Sequence, residues 1–299
     1  MNRSSLRSKL HGLHFACAML VAGISAPATA EWLLDANAGV LYDSNLNRAY
    51  ESADIRADSA IMLSAAGGSY FALSGADGLT LTADARGELY HRFHGLNLLG
   101  LGGTALYRHK FGLGYAAPWI LLAASASHDN YRDDIRDSDR VELRAELGKR
   151  FTETFDAAFG GRFERRYAQN DAPVVPGISG KVFDLRGRNA YVRAGYAVSD
   201  QLLLGAELAV RRGDVVATTR RDFEIFVVSD AIAADPTFGS DFFAYRLRGT
   251  TDTAKLTASW ALDDRSSLNL AYTDERTDAA GGIIYRSHST NLVYAWRYY

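Results

Sequence analysis

Residues 79–92 read LTLTADARGELYHR. Leu79, Leu81, Ala83, Ala85, Gly87 and Leu89 take the odd positions; Thr80, Thr82, Asp84, Arg86, Glu88 and Tyr90 take the even ones. Successive side chains of a strand point to opposite faces, so a period of two makes one oily face and one polar, charged face. On a helix Leu79 and Leu81 would stand about 200° apart and share no face. The pattern recurs outward from this stretch. Val141, Leu143, Ala145 and Leu147 alternate with Glu142, Arg144, Glu146 and Gly148. Phe155, Ala157, Phe159 and Phe163 alternate with Asp156, Ala158, Gly160, Arg162 and Glu164. Leu204, Ala206, Leu208 and Val210 alternate with Gly205, Glu207, Ala209 and Arg211, and Ala254, Leu256, Ala258 and Trp260 with Lys255, Thr257 and Ser259. Pro118, Pro173, Pro176 and Pro236 all fall between such runs, as strand hydrogen bonding requires.

The gaps between runs alternate too. Short ones lie near 75–77, 112–117, 152–154, 199–200 and 263–265; mostly longer ones lie near 45–54, 129–139, 168–181, 213–241 and 275–282, with a short exception at His94-Gly95. Short turns at one end and long loops at the other is the plan of a transmembrane barrel. Sandwich strands run about five or six residues, whereas alternation here often persists for about nine or more, the length of a tilted membrane strand. Trp32, Tyr42, Tyr107, Phe155, Trp260, Tyr272, Trp296 and Tyr298 sit near stripe ends, where interfacial rings belong. The expected fold is therefore all-β: a closed antiparallel transmembrane barrel of about twelve strands with both termini periplasmic. The strands are placed near 32–44, 55–74, 78–92, 96–111, 118–130, 139–151, 155–167, 182–198, 201–212, 242–262, 266–275 and 283–298.

The first thirty residues differ from the rest. Arg3, Arg7 and Lys9 precede an apolar run, Phe15 to Ile24, and Ala28-Thr29-Ala30 ends the segment. That three-part plan predicts a secretory signal peptide over 1–30, cleaved to leave Glu31, and a barrel domain over 31–299. Cleavage removes the chain's one cysteine, Cys17, leaving no disulfide or thiolate chemistry. It also removes three of 33 basic residues and no acidic one, so the charge moves from −2 to −5, which argues against a nucleic-acid surface. No later segment has about eighteen uninterrupted apolar residues, so no transmembrane helix is expected.

Two segments resemble a known family. Thr290 to Tyr299 (TNLVYAWRYY) resembles the C-terminal strand by which bacterial outer-membrane barrels are recognised for assembly. Its outward set would be Leu292, Tyr294, Trp296 and Tyr298, with Tyr299 one residue past that register. Tyr42 to Ala49 (YDSNLNRA) resembles the opening strand of porin-type outer-membrane barrels, including some linked to exopolysaccharide export and surface-lipoprotein assembly. The resemblance implies residence in the outer membrane of a Gram-negative cell, contact with its lipid and lipopolysaccharide, and engagement of the barrel assembly machinery. Turn-favouring Asp and Asn also account for YDSNLNRA as a plain exit from the first strand.

If the oily stripe meets lipid, the other face looks inward. Arg or Lys on the lipid face would cost about 2–4 kcal/mol at mid-membrane, which favours that assignment. The expected lumen residues are Asp84, Arg86, Glu88, Arg108, Glu142, Arg144, Glu146, Arg162, Glu164, Arg193, Glu207, Arg211 and Lys255. Such a lining suits a porin-like channel for small polar or anionic solutes, an oligosaccharide among them. The alternatives are a closed, ion-paired barrel serving as a surface or polysaccharide-export accessory and, with less behind it, a lipid hydrolase. The hydrolase rests only on His91, His94, His128 and His288 with Ser127, Ser287 and Ser289 nearby, and adjacent strand residues point apart. No enzyme, cofactor or metal motif is read. His128 to Arg140 has five aspartates and three arginines without the spacing of a calcium loop, and reads as a solvated face. In the long 213–241 connection, Phe223 to Val228 (FEIFVV) is expected to pair with Phe242 to Leu247 (FFAYRL) as a hairpin outside the membrane; the other reading is an inward constriction.

Overall fold

Alternation becomes register in the structure, a computed structural model that describes residues 30–298. The signal-peptide reading and Tyr299 lie outside the described residues. The strands are β1 (Ala30–Asp43), β2 (Asp58–Ala72), β3 (Asp77–Tyr90), β4 (Leu98–Lys110), β5 (Trp119–Tyr131), β6 (Ser138–Arg150), β7 (Phe155–Ala168), β8 (Leu185–Ala197), β9 (Leu202–Arg220), β10 (Ala231–Ala234), β11 (Phe242–Ala261), β12 (Ser266–Ala279) and β13 (Ile283–Tyr298). One short α-helix, α1 (Phe223–Val227), follows β9. All strands but β10 form a closed antiparallel ring: neighbours pair in chain order, β9 pairs with β11, and β13 returns to β1 through Leu34↔Tyr298. Twelve strands thus make the barrel, as expected, and the thirteenth, β10, adds to β11 outside the ring.

The wall is inside-out relative to a soluble core. Leu99, Leu208 and Leu256 are 60%, 61% and 62% exposed, while Asp129 and Glu146 on the opposite face are 0% and 2% exposed. The apolar stripe therefore faces outward and the charged stripe inward. Closure leaves no open edge for lipid to solvate. The connections at one end (73–76, 111–118, 151–154, 198–201 and 262–265) alternate with those at the other (44–57, 91–97, 132–137, 169–184, 221–241 and 280–282), and both described ends of the chain lie at the first. β12 continues through Ala279, so the expected 275–282 gap shrinks to three residues.

The 213–241 region departs most from expectation. β9 runs on to Arg220, and Val215 to Arg220 pair with Phe242 to Leu247. Phe223–Val227 is not the partner strand; it is α1, capped by Asp222, whose side chain accepts from the Glu224 amide. Both faces of the β9–β11 extension are buried: Val215, Ala217, Tyr245 and Leu247 on one, Thr218 and Ala244 on the other. A hairpin standing free in solvent would bury one face at most. This one folds over the barrel mouth. Its tip places Phe238 5.0 Å from Phe93 in the β3–β4 loop, five strands away around the ring in either direction.

The fold-over has a local cause. At the bend Gly187, Gly213 and Gly249 lie side by side on β8, β9 and β11. Gly213 has φ +156°, and a Cβ there would lie 2.2 Å from the Arg186 carbonyl oxygen. Only glycine fits this close approach. The other long loops then close around the extension. Asn47 donates to the Thr218 carbonyl at 2.7 Å, and Thr218 N–H donates to the Asn47 carbonyl at 2.8 Å. Ile225 and Ile232 pack with Tyr245, Ile283 and Tyr285, while Val182 and Phe183 pack with Ile135, Ala231 and Ala244.

Candidate functional site

The inner wall divides into two arcs. From β11 through β12, β13 and β1 to β2 it is lined mainly by neutral polar groups, among them Thr253, Thr257, Asn269, Asn291, Asn37 and Ser64. From β3 to β9 it is densely charged. Glu146 is the centre of that arc, its side chain fully buried. It accepts hydrogen bonds from Arg193 Nη2 at 2.7 Å and Nε at 3.1 Å, from the Tyr191 hydroxyl at 2.8 Å and from Arg144 at 3.3 Å. Arg193 also approaches Asp156 at 3.6 Å. Arg162 lies 4.7 Å from the Tyr191 ring centroid and 3.7 Å from Glu207. Arg211 Nε donates to Glu164 at 2.6 Å. Arg86 meets Asp129 at 2.5 Å, with Arg140 at 3.4 Å on the carboxylate's other oxygen.

These pairs reach across an intervening strand, and glycine makes the passage. Arg86, Gly100 and Asp129 stand in one row on β3, β4 and β5. A Cβ on Gly100 would lie 2.9 Å from Arg86 Nε and 3.0 Å from the Asp129 carboxylate. Glu146, Gly160 and Tyr191 repeat the row on β6, β7 and β8. A Cβ on Gly187 would intrude between Arg211 and Glu164, at 2.5 and 2.8 Å. The inward glycines are thus as much part of the charged wall as the arginines.

All thirteen residues expected to face the lumen lie on the inward side of their strands. The structure brings Arg144, Glu146, Arg162, Arg193 and Glu207 into one network, joins Glu164 to Arg211, and joins Arg86 to Asp129. Glu88 accepts from Tyr90 at 3.0 Å, and Arg108 covers the Trp119 ring at 5.4 Å. Lys255 stands opposite Glu207 in register, whereas Asp84 and Glu142 join none of these clusters. Asp129, Tyr191 and the three glycines escaped the sequence reading. Asp129 falls in the overlap of the expected 118–130 strand and the 129–139 gap, and it extends the serine-rich inward set Ser125, Ser127 of β5, a parity visible in the sequence.

The lid carries its own buried pair. Arg136 in the β5–β6 loop donates to Asp235 at 2.5 Å, with Asp133 at 3.0 Å and Thr218 donating to Asp235 at 3.0 Å. Asp235 is completely buried. The histidines and serines considered for hydrolysis do not meet. His128 bonds Asp139 at 2.9 Å on the outer face, and His288 bonds the Tyr272 hydroxyl at 3.1 Å. Ser287 points inward and donates to Asp43 at 2.7 Å.

Compared with solved structures, the chain superposes on the COG4313 outer membrane channel from Pseudomonas putida F1 with a TM-score of 0.51, at 12% identity, over 91% of this chain and 97% of that one. The shared feature is the closed outer-membrane barrel fold. The NanC porin gives a TM-score of 0.48 at 9% identity over 88% of this chain and 98% of its own. A KdgM porin in complex with oligogalacturonate gives 0.47 at 10% identity over 89% and 99%. No family model matches the chain, and no curated protein does.

Proposed function

We propose that this protein is a porin-like outer-membrane channel that passes small polar or anionic solutes through its charged lumen. One observation carries the reading: a polar lining that continues around the ring, with an arginine-rich arc facing an arc of mainly hydroxyl and amide groups that also carries Lys255 and the Asp35–Arg297 ion pair. Among the thirteen residues expected from the sequence to face inward, seven are cations and six are carboxylates, and Arg140, Asp129 and Asp156 join them on the inner wall. Three of the six carboxylates hold guanidinium groups in place: Glu146 holds Arg193, Glu164 holds Arg211 and Glu207 approaches Arg162. Fixed guanidinium groups on one wall attract anions, and neutral polar groups opposite exchange hydration without strong trapping. The lid supplies access control at the long-loop end. Placing that end outside the cell puts the short turns and both termini in the periplasm. Export through the 1–30 signal, with assembly through the final strand, belongs to the same proposal.

Reconstitution in planar bilayers tests it. Discrete openings with anion preference are expected, more frequent once the lid is released by Arg136→Ala. Absence of conductance from both the native chain and that variant, each folded, would overturn the channel reading.

A further inference from the structure

Two further arginines stand on the inner wall just below the lid. Arg140 is the third residue of β6 and Arg166 the third from the end of β7, so both lie at the long-loop end of the barrel. They stand directly opposite each other in register, on the inward face that carries Glu142 and Glu164 one row deeper. Like charges so placed repel. The carboxylates around them are committed elsewhere or make no ion pair with them. Glu164 is held by Arg211, and the lid's Asp133 and Asp235 by Arg136. Among the described residues no carboxylate lies within ion-pairing distance of Arg166, and Glu142 pairs with neither arginine. Arg140 has Asp129 at 3.4 Å, and that carboxylate is already met by Arg86 at 2.5 Å.

The two guanidinium groups differ in freedom. Arg166 is fixed: its Nε donates to the buried Ser138 hydroxyl at 2.7 Å and its Nη2 to the Arg136 carbonyl at 2.5 Å. Its guanidinium lies 5.1 Å from the Phe183 ring centroid and 5.5 Å from that of Tyr131. Nη1 has no hydrogen bond among the described residues. Arg140 makes no hydrogen bond through its side chain, which is 37% exposed on the lumen side. Opposite residues on paired strands have Cβ atoms about 5 Å apart, so one fixed and one adaptable guanidinium reach the same point. The bond to the Arg136 carbonyl sets that point against the residue that latches the lid through Asp235.

We propose that Arg140 and Arg166 form a binding site for the oxyanion group, phosphate or carboxylate, of a solute entering beneath the lid. Guanidinium forks match such oxygens in geometry as well as charge, and hydrogen bonds between ionised partners are the strong ones. The rotamer of Arg166 is set before the solute arrives, which lowers the ordering cost of binding. The site rests on the channel reading for the solute's passage but not for its capture.

Titration calorimetry on the full chain, folded in neutral detergent, tests it with glucose 6-phosphate, glucuronate and glucose at equal ionic strength. Both charged sugars are expected to bind and glucose is not; the tighter of the two names the group as phosphate or carboxylate. Folded Arg166→Gln is expected to bind that sugar about ten-fold more weakly. Arg140→Gln serves as a second variant, with the same loss expected, should Arg166→Gln fail to fold. Arg276→Gln, an equal loss of charge on the outer face of β12, is expected to bind as the native chain does. Absence of charged-sugar binding, equal binding of glucose, or undiminished affinity in a folded lumen variant would overturn the site. So would an equal loss in Arg276→Gln, the mark of unspecific charge attraction. Bilayer conductance of the native chain separates the two proposals: conductance without binding removes this site and leaves the channel, and binding without conductance does the reverse.

Discussion

Glu146 shows how one residue organises a wall. Its buried carboxylate is surrounded by Arg144, Tyr191 and Arg193 and by the glycine that lets them converge. Glu146→Ala removes the acceptor and leaves guanidinium groups facing one another. A folding loss of about 2–3 kcal/mol is expected, at the lower end for a buried pair because Arg193 retains solvent contact. In the folded variant the reversal potential should move toward greater anion selectivity, since a negative charge has left the lumen. Unchanged selectivity and unchanged urea stability in liposomes would show that Glu146 is mere filling. A second residue-level prediction concerns Asp222. The Tyr50 hydroxyl and the Glu224 amide hold its carboxyl below the usual aspartate range. A carboxylate depressed in the folded state contributes stability above its ordinary value, and that contribution is lost as pH falls through the lowered one. The anchor of α1 should therefore hold at neutral pH and slacken in acid, below the ordinary value of 3.8. Hydrogen exchange at 223–228 measured at neutral and acid pH checks the direction, with Tyr50→Phe expected to reduce the difference.

At the scale of elements, the β9–β11 extension is the decisive piece. Its direction is set by glycine at the bend, and its docking by Arg136, Asp235 and the Phe93–Phe238 contact. Gly213→Val puts branched carbons into the Arg186 carbonyl, so the extension is expected to swing off the mouth. Arg136→Ala leaves Asp235 buried without its cation, a cost of about 3 kcal/mol that the hairpin escapes by undocking. Both variants should show greater open probability in bilayers and faster hydrogen exchange across 231–247. A native-like closed fraction in both would mean that the extension does not control the mouth. In the sequence FEIFVV suits a strand as well as a helix, because six largely apolar residues carry no period that separates the two at that length. The Asp222 cap, two residues before Glu224, was the available signal for a helix start.

At the scale of the molecule, the inside-out arrangement makes one further prediction. Leu208→Arg places a cation on the outward face within the belt and should lower stability in a bilayer by about 2–4 kcal/mol. Thr253→Arg, on the inward face of β11, should alter selectivity with little of that loss. Equal penalties would argue that the two faces have been exchanged. Most of this architecture was legible beforehand. The stretch at 79–92 and its repeats marked nearly every barrel strand, and the thirteen charged residues were all put on the inner face. The pairings Arg86–Asp129 and Glu164–Arg211 were not legible, because each depends on which strands stand two apart and on a glycine between them.

Period-two alternation, turn residues and the outward aromatic stripe are local properties, repeated every few residues. They determined a membrane barrel of twelve strands and which side chains look into it, since lipid tolerates no other orientation of this pattern. The lid was decided only by the tertiary structure. Arg136 and Asp235 are 99 residues apart, and Asn47 and Thr218 are 171 apart. Neither contact leaves a periodic trace in the chain, because each exists only once ring closure brings opposite loops over a shared opening.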